Sequence, residues 1–188
     1  GKSAAGTLQK QLRAAVAARD WGDVDLLLDT LLAIDAPAVE PAAPELAKLL
    51  ESADEPALRL GFHALALMGP RAAEATPALI KQLDPGNPEL AALAAGTLGR
   101  IGPGANAAVP ALLKCLEAPD PNLTCQAAKA LCHLEPADAA ARAATIKAVL
   151  AHPGLYRIGG AAAPPRRDSY KAVALSLLGK EAIPQFLE

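Results

Sequence analysis

Aromatic residues are nearly missing from this chain: one Trp, two Tyr and two Phe among 188 residues. Val and Ile together add only twelve more. So small a supply of β-branched and aromatic side chains excludes a core built from sheets. Cysteine is scarce as well. Three residues without a CxxC spacing exclude a disulfide framework and point to a reducing, cytoplasmic compartment. The alternative is an exported protein with buried thiols and a leader already removed, because the N-terminus lacks the basic, apolar and small-residue order of a signal peptide. No apolar run approaches the roughly 18 residues of a membrane span, so no membrane partner is expected. An excess of one charge is lacking too. The 18 Lys and Arg stand against 20 Asp and Glu, a formal charge of −2, whereas a dedicated nucleic-acid binder carries a basic excess.

What the chain has is Ala, 46 times, and Leu, 31 times, two strong helix formers. It also has a period. Met68-Gly69-Pro70 through Thr76-Pro77-Ala78-Leu79-Ile80-Lys81-Gln82-Leu83 aligns without a gap on Ile101-Gly102-Pro103 through Val109-Pro110-Ala111-Leu112-Leu113-Lys114-Cys115-Leu116, at an offset of 33. Stepping by the same offset brings Pro37, Pro70, Pro103 and Pro136 into phase, as well as Leu32, Leu65, Leu98 and Leu131. Lys48, Lys81, Lys114 and Lys147 follow, and so do Pro44, Pro77 and Pro110. Self-similarity at such a period is the signature of a repeat architecture.

Each unit reads as two helices. Leu58, Phe62, Leu65 and Met68, and then Leu90, Leu93, Thr97, Leu98 and Ile101, give the first helix its apolar stripe. Gly-Pro ends it, since Gly accepts the left-handed conformation and Pro cannot continue the ladder. Thr76-Pro77 and Val109-Pro110 start the second helix, with Pro where no amide partner is lost and Thr76 as a side-chain cap. Its buried stripe is Leu79, Ile80 and Leu83, or Leu112, Leu113 and Leu116. One hairpin cannot bury both faces of its first helix, whereas stacked neighbours can, and stacking produces a solenoid. The pattern LxxAAxxLGxIGP…AVPALLxxL resembles the HEAT-repeat family, especially its short bacterial form. That resemblance implies an all-α, right-handed α-α superhelix of about five two-helix repeats in a single domain, 1–188. Residues 7–18 form a capping helix, 21–150 the regular repeats, 151–170 an insertion loop and 171–188 a closing cap. It also implies a non-catalytic scaffold that binds a protein or peptide on an extended surface.

Chemistry beyond that is thin. Cys115, Cys125, Cys132 and His133 raise a metal site or an enzyme built on the same scaffold, but structural zinc sites pair their Cys two to four residues apart. In register, Cys132 stands where Ala66 and Gly99 stand, so the simpler expectation is a buried small hydrophobe. The His-Glu pairs that hold iron in the HEAT-like deoxyhypusine hydroxylases are absent, and His63, His133 and His152 precede Ala, Leu and Pro. Neither a cofactor nor a metal is expected.

Two candidate partner-binding groups remain. Lys48, Lys81, Lys114 and Lys147 project from successive second helices, which line the concave face in HEAT-like arrays. Glu51, Asp84 and Glu117 follow the first three at i+3 and are expected to pair with them. Within 151–170, Tyr156, Arg157, Arg166, Arg167 and Tyr170 bring forked cations and aromatics together, which suits a carboxylate or phosphate partner. Nucleic acid is the less favoured reading of that loop. Charge is uneven along the chain: residues 1–19 carry +4 and residues 20–55 carry −9. The abrupt ends and the leading Gly1 suggest a piece of a longer protein, and the expected state is a monomer or part of that larger chain.

Overall fold

The computed structural model describes residues 2–134, with Ala139, Arg142, Ala143 and Lys147 helical beyond them. Among the described residues there are helices and no strand. A leading helix α1 (Lys2–Ala18) precedes three two-helix units: α2 (Trp21–Asp35) with α3 (Ala43–Lys48), α4 (Glu55–Met68) with α5 (Thr76–Lys81), and α6 (Pro88–Ile101) with α7 (Val109–Cys115). Helix α8 (Pro121–Leu134) opens a fourth. Apart from those four residues, the remainder of the fourth unit, the fifth, the insertion and the closing cap fall outside the described residues.

Proline sets the phase of these helices. Pro44, Pro56, Pro77, Pro88, Pro110 and Pro121 all occupy the first two positions of a helix, where a missing amide costs nothing. Asp20, Asn87 and Asp120 add side-chain caps, the last accepting from the Leu123 N–H at 2.7 Å. Gly69 (φ 56) and Gly102 (φ 73) stop α4 and α6 in a conformation that L residues avoid. The chain then continues as 3-10 helix rather than loop, over Gly69–Ala75 and Gly102–Ala108. Ala72 and Ala105, 33 apart, bend both stretches out of helical geometry (ψ 16 and 19).

The first helices pack side by side in the order α2, α4, α6, α8, and the 3-10 stretches and second helices form a second layer against them. The interior between the layers is leucine and alanine. Leu65, Leu98 and Leu131 are completely buried, but their repeat-mate Leu32 is only half-buried and Leu31 takes the interior place. The cause lies at the end of the stack. Helix α1 covers α2 with Leu12 and Ala15, while Asp29 is exposed where its repeat-mates Phe62, Ala95 and Ala128 are buried. Small residues allow close approach further along: a Cβ on Gly99 would lie 3.0 Å from Ala130 Cα, and one on Gly61 3.0 Å from Leu49 Cβ.

Candidate functional site

Lys48, Lys81 and Lys114 occupy the last turns of α3, α5 and α7 and are exposed; Lys147 is helical and exposed. A cation at a helix C-terminus meets the negative end of the peptide dipoles, which is one physical reason for the recurrence. The expected i, i+3 pair of Lys81 with Asp84 does not form. Helix α5 ends at Lys81, so Asp84 has already left the helical surface and instead accepts from the Gly86 N–H at 2.9 Å. Lys81 reaches back to Glu51 of the preceding unit, 3.2 Å away. Lys48 and Lys114 form no ion pair with any described residue. Among the described residues the ladder is therefore a row of cations tied only once, across a repeat junction. Beside it Gln82 donates its side-chain amide to the Leu50 carbonyl at 2.8 Å, again joining one unit to the next.

Tyr156, Arg157, Arg166, Arg167 and Tyr170 lie outside the described residues. The cysteines are described, and all three are buried and free. Burial pushes the Cys115 thiol upward and the Cys132 thiol up to about 11. Metal ligation and nucleophilic attack need the thiolate, which burial disfavours at Cys115 and Cys132. His133 is exposed at the end of α8 while Cys132 faces inward, and among the described residues no three His, Cys, Asp or Glu side chains gather as a metal site would require. Thr76 does not cap α5 either: Ala75 holds the cap position, and the Thr76 hydroxyl is buried without a partner.

The sequence reading missed a groove on the first-helix layer. About 410 Å³ opens over the junction of α4 and α6, with Phe62, Ala66, Ala92 and Gly96 as its apolar floor. Gly96 and Ala92 make the space, because their repeat-mates His63 and Arg59 carry long side chains. The buried Thr97 hydroxyl fastens the floor, donating to Leu93 at 2.9 Å and approaching the Phe62 carbonyl at 3.5 Å. Arg59 closes one end, bound to Glu55 at 2.9 Å and Glu89 at 2.6 Å. Arg100 lines the other end and has no ion pair with a described residue. His63 stands 3.5 Å from Asp25 of α2, and Gln126 reaches in from α8. A loss of side-chain bulk at the same positions of one repeat was the signal available in the sequence.

This two-layer stack, its 33-residue phase and its paired prolines converge with a comparison against known families. Residues 76–153 match the family model for HEAT repeats. Over that segment the chain is similar to HEAT repeats. Such repeats generally mediate protein–protein interaction or scaffolding. No curated protein matches the chain in sequence. The matched segment includes α5 to α8, so the groove and the central lysines belong to it in part.

Proposed function

We propose that this HEAT array is a non-catalytic scaffold that binds a protein or peptide along its second-helix layer. One observation carries the reading: the same exposed lysine recurs at the end of α3, α5 and α7, and only Lys81 is neutralised by an ion pair among the described residues. A row of cations one interhelix step apart, roughly 8–10 Å, suits an acidic segment lying across the repeats rather than a small substrate in a pocket. The repeat scaffold supports this, because each unit adds another stretch of surface to a continuous face. The arginines and tyrosines of 151–170 extend the same reading as a second contact region.

The test is capture of partners from the native cell by the full chain and by the triple variant Lys48→Glu, Lys81→Glu, Lys114→Glu. All three side chains are exposed and the one ion pair is screened by solvent, so the variant keeps the fold and its melting temperature stays close to that of the parent. A partner retained by the parent and lost by the variant supports the scaffold reading. Identical captured sets from both proteins refute it.

A further inference from the structure

The outward face of the first helices carries two features that match each other. On α2, Leu26 and Ile34 are the exposed large apolar side chains among the described residues, 66% and 52% accessible. Asp23 and Asp29 flank Leu26 at i−3 and i+3, on the same face of the helix, and neither carboxylate has a basic partner among the described residues. Leu26 is therefore presented to solvent between two acids, at the rim of a cleft that α2 forms with α1. One and two helices further along, the same face has the reverse relief. Positions that are Leu26 and Ile34 on α2 are Ala92 and Arg100 on α6, and the groove between α4 and α6 is floored by small residues and bordered by the unpaired Arg100. Lys129 on α8 continues the positive side.

We infer that this face pairs with a second copy of the chain, Leu26 of each copy entering the α4–α6 groove of the other while Asp23 and Asp29 meet Arg100. The inference departs from the monomer expected from sequence, and it uses the opposite layer from the lysine row, so it stands apart from the scaffold reading. Knob and groove lie on the same helix layer, Leu26 beside the cleft between α1 and α2 and the groove between α4 and α6. A two-fold rotation that seats one Leu26 in the partner's groove seats the partner's Leu26 in return, which makes the contact isologous and closed instead of filament-forming. Charge selects the same arrangement: the acids of α2 face the cationic end of the groove in both halves. Arg59 does not compete for them, since Glu55 and Glu89 already hold its guanidinium and keep its pKa raised.

Sedimentation equilibrium of the full chain across a wide concentration range tests this. The expected result is a monomer–dimer equilibrium that weakens with added salt, because the acid–Arg contacts lie at an exposed rim. Leu26→Asp and Arg100→Glu each weaken the dimer by about tenfold or more, the loss expected for a central anchor or its charge partner. The deciding arm mixes two variants. Arg100→Glu alone and Asp23→Arg/Asp29→Arg alone each self-associate about tenfold or more weakly than the parent, but together they form a heterodimer, because each contact in the mixed pair again joins opposite charges. A parent that remains monomeric at every concentration and low salt overturns the inference. So does a dimer indifferent to Leu26→Asp and Arg100→Glu, or a mixture that fails to associate.

Discussion

Two glycines three residues apart on α6 give the packing argument its sharpest test. Gly96→Ala and Gly99→Ala make the same chemical change in the same helix, and both gain helix propensity of about 0.5–1 kcal/mol relative to Gly. Their surroundings differ. A Cβ at Gly96 would meet nothing nearer than Gln126 Oε1 at 3.7 Å, ordinary contact with a flexible side chain. A Cβ at Gly99 would meet the Cα of Ala130 at 3.0 Å and its Cβ at 3.3 Å. The first of these is backbone, which retreats only if α8 moves away from α6. Overpacking of that kind costs about 1–3 kcal/mol, more than the propensity gain. Gly96→Ala is thus expected to stabilise by about 0.5–1 kcal/mol and Gly99→Ala to destabilise by about 1–2 kcal/mol. For a chain of this size 1 kcal/mol moves the melting temperature by roughly 2–4 °C. Circular dichroism melts of the two variants should therefore shift in opposite directions. Equal shifts of the same sign would show that α6 and α8 are not packed at Gly/Ala distance, and the close-approach account of this stack would fail.

Truncating the repeated core leucine, Leu98→Ala, is expected to cost about 2–5 kcal/mol, read from urea midpoints, since Leu98 is fully buried. Half-buried Leu32, its repeat-mate, should lose clearly less under the same change. Arg19 closes α1 at φ 58, a conformation that costs an L residue roughly 1–2 kcal/mol; Arg19→Gly should raise the urea midpoint unless α1 is held some other way. The Cys132 thiol, pushed from 9.0 to about 11 by burial, is protonated more firmly in the folded chain than in the unfolded one. Its contribution to stability is therefore complete below about pH 9 and is lost as pH rises through about 11. Cys132→Ala, a residue already accepted at repeat-mate Ala66, should flatten the alkaline fall in melting temperature; an unchanged slope would place its cause elsewhere.

The parts of the fold that could be read in advance are those fixed by backbone chemistry. Gly69-Pro70 and Gly102-Pro103 end helices because only the glycine tolerates the positive φ, and Pro77 and Pro110 begin helices because proline loses nothing there. The 3-10 passage over Gly69–Ala75 was not legible, because Arg71-Ala72-Ala73-Glu74-Ala75 has helix-forming composition, and the stretch that bends at Ala72 packs against the neighbouring units. The ion pair of Lys81 was misread for a related reason: an i, i+3 rule holds only while the helix continues, and α5 stops at Lys81. Leu32 kept its phase in the sequence and lost it in burial, since a period records a common ancestor unit while burial depends on whether a neighbour exists on each side. The lysine row was legible as spacing, but the groove was not, because an opening is a property of two helices together and Gly96 by itself signals only flexibility.

The junctions between first helices differ along the stack, and that difference bears on both surfaces. Across α2 and α4 the outward contact is His63 with Asp25, and across α4 and α6 it is Arg59 with Glu89. Exposed pairs of this kind contribute little and are screened. Across α6 and α8 the contact is Gly99 against Ala130, with room for no Cβ between them. In a linear array each interface contributes separately to local stability, so the α6–α8 junction is the firm one and the polar junctions before it are the yielding ones. The groove lies where the two regimes meet. Ala92 and Gly96, lacking the bulk of Arg59 and His63, leave space towards α4, while Gly99 on the same helix lets α8 approach. Filling Gly96 with a leucine would therefore close the groove and leave the Gly99–Ala130 contact in place, since the nearest neighbour of Gly96 on α8 is the flexible Gln126 side chain. Gly96→Leu should abolish pairing through Leu26 while leaving the melting temperature at or above that of the parent, whereas a loss of both together would mean that groove and stack are a single packing unit.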